Sequence, residues 1–148
     1  MSSKSYIEIE KDIHCELATE KNHFDKLYEM LKTRKHNISH NEMPDYEEHL
    51  KFCKNNPYRY WFIIFKNNSP IGTFYITNDN CVGLNLIKDD IKIYQAILNY
   101  IIIHMKPLPP VPSVVPKNFY CNISPSNKTL IKAAKSLGGH TTQISIQF

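Results

Sequence analysis

Glycine is scarce in this chain. Only Gly72, Gly83, Gly138 and Gly139 occur in 148 residues, under half the average usage of about 7%. No G-x-G-x-x-G or Walker-type loop can be drawn from them, so a nucleotide site built on a glycine-rich turn is excluded. Arginine is scarcer still, with Arg34 and Arg59 alone. The net charge of +4 is mild and spread along the chain. It suits an anionic ligand but does not make a nucleic-acid footprint. The four cysteines, Cys15, Cys53, Cys81 and Cys121, are far apart and form no C-x-x-C. That excludes a zinc ribbon and a disulfide framework, and points to reduced thiols in a cytoplasmic protein. Long hydrophobic runs are missing as well. The longest, Tyr60–Phe65, is far too short to span a bilayer, as is Tyr100–Ile103, so no membrane partner is expected. Glu8, Glu10, Lys11 and Asp12 are incompatible with a signal peptide.

What is present suits one domain over residues 1–148, a length that buries roughly 70% of the unfolded surface without staples. Residues 1–11 are polar and read as a ragged start. Ile13 to Leu17 alternates as a first strand. Thr19 opens a helix with Phe24, Leu27, Tyr28 and Leu31 at helical spacing. Residues 35–43 form a polar loop. Pro44 suits the first turn of a second helix, with Glu47 and Glu48 near its positive end and Tyr46, Leu50 and Cys53 facing inward. The runs YRYWFIIF (58–65), IGTFYIT (71–77) and CVGLNLI (81–87), separated by polar turns, predict an antiparallel meander. Residues 90–105 carry a wide apolar stripe through Tyr94, Ile97, Leu98, Ile101, Ile102 and Met105, the mark of a mostly buried helix. Five prolines in 107–116 make a stiff extended connector. NFYCNIS (118–124) reads as a strand. Ser124 or Ser126 suits the cap of a helix running to about Leu137, ended by Gly138-Gly139. TTQISIQF (141–148) alternates as a final strand.

Several constellations have plain explanations. His36 and His40 lie four apart in a polar loop and lack a third ligand at metal-site spacing, so no metal is expected. Glu47 and Glu48 are adjacent on a helix and point apart, which suits helix-start charges better than a catalytic pair. Trp61 and Tyr75 lie in central strands, where core packing competes with a pocket role. Cys81 and Cys121 read as buried, inert thiols because no activating histidine is evident beside them. Lys106 to Pro112 matches a K-x-x-P-x-x-P docking pattern, but two core elements anchor it and it reads as a connector.

The order of elements and the local wording resemble the GCN5-related N-acetyltransferase (GNAT) superfamily. ISHNEMPDYEEHLKFCKNNPYRYWFII (38–64) is similar to a bacterial subgroup with I-S-H, M-P-x-Y-E-E-H and P-Y-x-x-W. YCNISPSNKTLIKAAKSLGG (120–139) is similar to its strand–turn–helix reading N-I-x-P-x-N and ending L-G-F. The resemblance spans about residues 12–148. It implies an α/β (α+β) acyl-CoA N-acyltransferase fold, with a mixed, mostly antiparallel sheet of six or seven strands and about four helices. It implies acetyl-CoA as cofactor, with transfer of the acetyl group to an amine of a small molecule or protein. The family's fourth strand maps to Val82, Gly83, Leu84 and Asn85, whose backbone would hold the pantetheine arm. Asn122, Asn127 and Lys128 match positions near the thioester and coenzyme. His40 is the candidate proton acceptor, and His40, Glu47, Trp61 and Tyr75 are the candidate acceptor pocket. A homodimer is compatible with this reading.

One stretch departs from the family. Where the resemblance calls for Q/R-x-x-G-x-G/A, this chain has Ile87-Lys88-Asp89-Asp90-Ile91-Lys92. Aspartates start helices well because they satisfy the first N–H groups. The same carboxylates repel a pyrophosphate. The alternative reading is therefore a non-catalytic binding module of this fold that has lost the usual coenzyme A pyrophosphate site.

Overall fold

In the computed structural model, residues 5–33 and 43–148 are described. Their elements are β1 (Tyr6–Glu10), β2 (Ile13–Leu17), α1 (Lys21–Lys32), α2 (Tyr46–Lys54), β3 (Tyr60–Lys66), β4 (Ser69–Ile76), β5 (Cys81–Leu86), α3 (Ile91–His104), β6 (Tyr120–Cys121) and α4 (Lys128–Ser136). The six strands make one sheet in chain order. Pairing is antiparallel from β1 to β5, and β6 joins β5 in parallel.

The sheet is covered on both faces, and β3 shows why. Phe62 and Ile64 alternate with Ile63 and Phe65, and all four are buried. The first pair packs with Phe74, Ile76, Val82 and Leu84 beneath Tyr94, Ile97 and Ile101 of α3 and Leu130 of α4. The second pair packs under Phe24, Leu27 and Met30 of α1 and Cys53 of α2. A central strand with four consecutive buried apolar side chains needs a layer on each side.

The polar start does not stay ragged: residues 6–10 form β1. Ile7 is buried and Ile9 packs on the core, so two apolar side chains on one face suffice to seat an edge strand. The helix starts also differ from expectation. Glu20 rather than Thr19 is the cap residue of α1. Asp45, not the Pro44 turn, caps α2 by accepting the Glu48 N–H at 2.8 Å. Asn127, not a serine, caps α4 by accepting the Leu130 N–H at 3.1 Å. Along α3, Ile102 and Ile103 stand exposed, outside the core stripe.

Two strand expectations shrink. The 118–124 run pairs only at Tyr120 and Cys121, because β6 diverges from β5 beyond them. Residues 141–148 form no strand. With no edge beside it, the segment leaves Ile144, Ile146 and Phe148 exposed. The described sheet thus has six strands, not seven.

The β4–β5 turn carries a less visible constraint. Asn80 is fully buried and holds a left-handed φ of 70°. Its Nδ2 donates to the carbonyls of Leu108 (3.0 Å) and Pro116 (2.9 Å), and its Oδ1 accepts the Leu108 N–H (2.7 Å). Its own carbonyl accepts the Tyr120 N–H (3.1 Å). Both ends of the proline connector and the start of β6 are therefore tied to one turn residue. Beside it, the Asp79 carboxylate accepts from the Thr77 hydroxyl and from the Tyr120 hydroxyl (2.9 Å). None of the helices described is long and apolar enough to cross a membrane.

Asn80→Ala removes three side-chain hydrogen bonds and takes that partner from the Leu108 N–H and from the Leu108 and Pro116 carbonyls. A loss of about 3 kcal/mol in urea unfolding, at unchanged slope, is expected; a loss below about 1 kcal/mol would contradict this role. The Thr77 hydroxyl, then that of Tyr120, hold the Asp79 carboxyl below its usual range. A depressed carboxylate stabilises above its unfolded pKa of about 3.9, and that stability vanishes as pH falls through the folded value. Asp79→Asn is expected to destabilise at pH 7 and to lose that effect in acid, once the pH has fallen through the lowered folded value. An equal effect at both pH values would show that titration plays no part.

Candidate functional site

β5 and β6 pair at two registers only, Cys81 with Tyr120 and Val82 with Cys121. Beyond them the strands splay. β5 stays paired to β4 on its other side through Gly83, Leu84, Asn85 and Leu86. The outer edge of those four residues has no strand neighbour among the described residues. A cleft of about 940 Å³ opens there.

One side of the cleft is polar backbone and amide. Gly83, Leu84 and Asn85 of β5 line it, with Asn122 and Ser124 just past β6 and Asn127 at the start of α4. Asn122 is exposed and donates weakly to Cys81 Sγ (3.7 Å). Asn127 is buried, its oxygen committed to the helix cap. Val82 is not among the lining residues: it pairs with Cys121 of β6 and its side chain lies in the core. Lys128 is exposed on the first turn of α4, outside the lining residues.

The other side is aromatic. Tyr58 stacks on Tyr75 (4.2 Å between centroids, 14° between planes) and meets Trp61 edge-on at 5.2 Å. Phe52 of α2 closes against Trp61 and Tyr58 at 5.8 and 6.0 Å. Leu27, Met30 and Leu31 of α1 extend this apolar wall. Tyr75 lies directly across the sheet from Gly83. A Cβ on Gly83 would fall 2.1 Å from Tyr75 Cζ, so the tyrosine ring rests where any side chain would stand. Glycine is needed here for close approach, not for backbone conformation.

Glu48, not the exposed Glu47, lines the cleft. His49 lines it too and is buried. Its Nε2 donates to the Phe24 carbonyl (2.9 Å), with Cys53 Sγ at 3.3 Å, which ties α2 to α1. His36 and His40 lie outside the described residues. Among the described residues no group of three or more His, Cys, Asp or Glu side chains is placed to hold a metal. The thiols are held protonated by burial: Cys121 and Cys15 are pushed up to about 12 and Cys53 to about 11. Burial raises Cys81 as well. None is poised as a thiolate nucleophile at neutral pH.

At the head of α3 the two aspartates divide their work. Asp90 Oδ1 accepts the N–H groups of Lys92 (3.0 Å) and Ile93 (3.2 Å). Asp89 does not cap. Its carboxylate accepts the hydroxyl of fully buried Tyr94 at 2.6 Å. Burial, with the adjacent carboxylate, pushes the Tyr94 hydroxyl above its ordinary range. The first turn of α3 is thus occupied by the chain's own oxygens.

Sequence reasoning identified Gly83, Leu84, Asn85, Asn122, Asn127, Trp61 and Tyr75, and the fold brings all seven to one cleft. It missed Phe52, Tyr58, Glu48 and His49. The available signal was the aromatic density of PYRYW beside a helix ending in HLKFCK.

Four solved structures share this architecture. The RimL ribosomal L7/L12 α-N-protein acetyltransferase, solved with coenzyme A, is 13% identical with a TM-score of 0.64, covering 88% of this chain and 81% of that one. The Salmonella typhimurium acetyltransferase that modifies the N-terminal serine of L7/L12 is 15% identical, with a TM-score of 0.66 and coverage of 88% and 82%. The Campylobacter jejuni N-acetyltransferase PseH is 17% identical, with a TM-score of 0.58 and coverage of 90% and 91%. No protein-family model matches the chain, and no curated protein matches it in sequence. The chain therefore has the acyl-CoA N-acyltransferase fold of the GNAT acetyltransferases.

Gly83→Ala must displace the Tyr75 ring. A cost of about 2 kcal/mol is expected. In the Tyr75→Ala background the same change should cost at least about 1 kcal/mol less. Strictly additive costs in a double-mutant cycle would reject the contact as the reason for the glycine.

Proposed function

We propose that this protein is an N-acetyltransferase that moves an acetyl group from acetyl-CoA to an amine of a small molecule or protein. The observation that carries this reading is the two-register pairing of β5 with β6. It leaves the Gly83–Leu86 edge open onto a cleft that continues to an aromatic wall. Free backbone N–H and C=O groups on a rigid strand suit the amides of a pantetheine arm, and an N–H aimed at a thioester carbonyl stabilises the oxyanion formed on attack. Asn122, beside the splay, orients the arm from the opposite strand. The acceptor amine enters past Tyr58, Trp61 and Tyr75. These surfaces favour an amine on an apolar or aromatic body, which loses little hydration on entry. The amine nitrogen bonds to the acetyl carbon, the carbon–sulfur bond breaks, and the amine proton leaves to a base. His40, beyond the described residues, is the side chain assigned to that proton. Lys128 offers an exposed point charge to a phosphate. The site acts in the cytoplasm, where acetyl-CoA is available.

A specific observation favours a second reading, a binding module without transfer. The first-turn N–H groups of α3 that receive pyrophosphate in the standard pose are already satisfied by Asp90, and Asp89 adds a second negative charge. The two readings separate experimentally. Acetyl-CoA at 100 times its dissociation constant stabilises by about 2.7 kcal/mol, or roughly 5–10 °C for a domain of this size. A shift of that order in the low-millimolar range, with release of free thiol on adding arylalkylamines, supports the enzyme; a folded sample with no shift sinks it. Asp89→Asn with Asp90→Ser keeps the Tyr94 partner and the cap but removes both charges. Tighter coenzyme binding, by about tenfold, is expected from relieved repulsion. Unchanged binding would show that the carboxylates do not oppose the ligand.

A further inference from the structure

Three rings in the aromatic wall of the cleft stand nearly at right angles to one another. Phe52 and Trp61 are inclined at 82° with centroids 5.8 Å apart, Tyr58 and Trp61 at 75° and 5.2 Å, and Phe52 and Tyr58 at 72° and 6.0 Å. Three planes with these angles and separations fit the corner of a box, in which one point lies about 4 Å from every ring. Inside a core such a cluster needs no ligand, since edge-to-face pairs stabilise one another. This cluster is not inside the core. Phe52 is 45% exposed, Tyr58 and Trp61 are half-buried, and all three line the cleft.

The charge beside the rings is negative. Glu48 lies one turn before Phe52 on α2, an i,i+4 spacing that puts both side chains on one face of the helix. Apart from buried His49, it is the one charged side chain among the residues that line the cleft. None of the ion pairs among the described residues uses it. An uncharged apolar ligand gains nothing from this carboxylate, and an anion is repelled by it. An organic cation gains twice, from the carboxylate and from the negative faces of the rings.

The position of the rings limits which cation this is. Tyr75 rests on Gly83 of β5, and Tyr58 stacks on Tyr75 at 4.2 Å. The three-ring corner is therefore one ring layer removed from the open β5 edge. We propose that Phe52, Tyr58, Trp61 and Glu48 form a cage for a second, non-reacting ammonium group of the acceptor. The preferred acceptor is then a dication, a diamine or an amine that also bears a quaternary ammonium. Its apolar spacer lies over Tyr58 and Tyr75 while the other nitrogen reaches β5. This assignment rests on the reading of the cleft as an acceptor site, but binding of the cation itself needs no coenzyme.

Trp61 is the one tryptophan of the chain, so its fluorescence reports the cage directly. Without coenzyme, choline is expected to change that emission with a dissociation constant at least about fivefold below that of its uncharged isostere, 3,3-dimethylbutan-1-ol. Phe52→Leu and Glu48→Gln are each expected to reduce this preference by at least about half. Both positions are exposed, and circular dichroism with a single unfolding transition verifies that the variants fold. Equal binding of the two compounds, no response to choline at about 50 mM, or a preference that survives both variants overturns the cage. With acetyl-CoA present, a diamine below saturation is expected to release thiol at least about fivefold faster than the monoamine of equal length, and Phe52→Leu to narrow the difference. Equal rates overturn the dication. A choline preference with no thiol release from any amine removes the transfer reading and keeps the cage as a cation site. Thiol release without a choline preference removes the cage and keeps transfer.

Discussion

The cleft depends on how Asn80 is held. This residue accepts a left-handed backbone, gives up all solvent contact and spends its amide on the two ends of the proline connector. A buried amide is costly unless satisfied, and its three side-chain bonds replace the water it loses. In return it clamps a ten-residue segment that has no helix or ladder of its own beyond a single Val111–Val115 bridge. The Asn80 carbonyl and the Asp79 carboxylate then hold Tyr120, so β6 can lie only where the β4–β5 turn puts it. The gap between β5 and β6 is set from the far end of the strands. The proline connector resists collapse because five of its positions have a fixed φ.

A second constraint sits at the helix starts around the cleft. Each of α2, α3 and α4 is capped by a side-chain oxygen from its own chain, Asp45, Asp90 and Asn127. Caps of this kind contribute about 1 kcal/mol each and use the same N–H groups that would otherwise greet an anion. At α4 the cap is neutral, so an anion nearby meets no repulsion from it. At α3 the cap is charged and has a charged neighbour. Asp89 is not dispensable to the fold, because without it the buried Tyr94 hydroxyl would lose its partner. Stability of the layer over the sheet and affinity for a phosphate at α3 therefore pull in opposite directions. This holds whatever ligand the cleft takes.

Most of the layered fold could be read from periodicity. The meander at 58–87 and the helix over 91–104 announce themselves through alternation and a wide apolar stripe. The residues that failed to declare themselves act through partners distant in sequence. Asn80 looks like a turn asparagine until Leu108 and Pro116 are seen around it. Phe52 looks like a misplaced surface aromatic until Trp61 and Tyr58 close on it. Residues 6–10 hold two buried or half-buried isoleucines among charges, too weak a pattern to signal an edge strand, yet enough once β2 offers its side. The 141–148 segment fails in the opposite sense. Its pattern is clear, but among the described residues no strand pairs with it.

These features are connected through the shortness of β6. A longer parallel ladder would bring β5 and β6 together past Cys121, bury Asn122 and close the cleft. The splay after two registers keeps the β5 backbone available, and Gly83 lets Tyr75 lie flat across it without widening the sheet. Two residues of pairing are too few to hold a strand unaided, since an isolated short ladder is marginal in water. The Asn80 and Asp79 contacts supply part of what the ladder lacks. They hold β6 from its first residue, Tyr120, so the stretch from Asn122 onward is the least anchored wall of the cleft. Anything that lends that wall a further neighbour stabilises the open geometry without closing it. In this fold, support for the site has to come from the outer edge, because support from the inner edge would abolish the site.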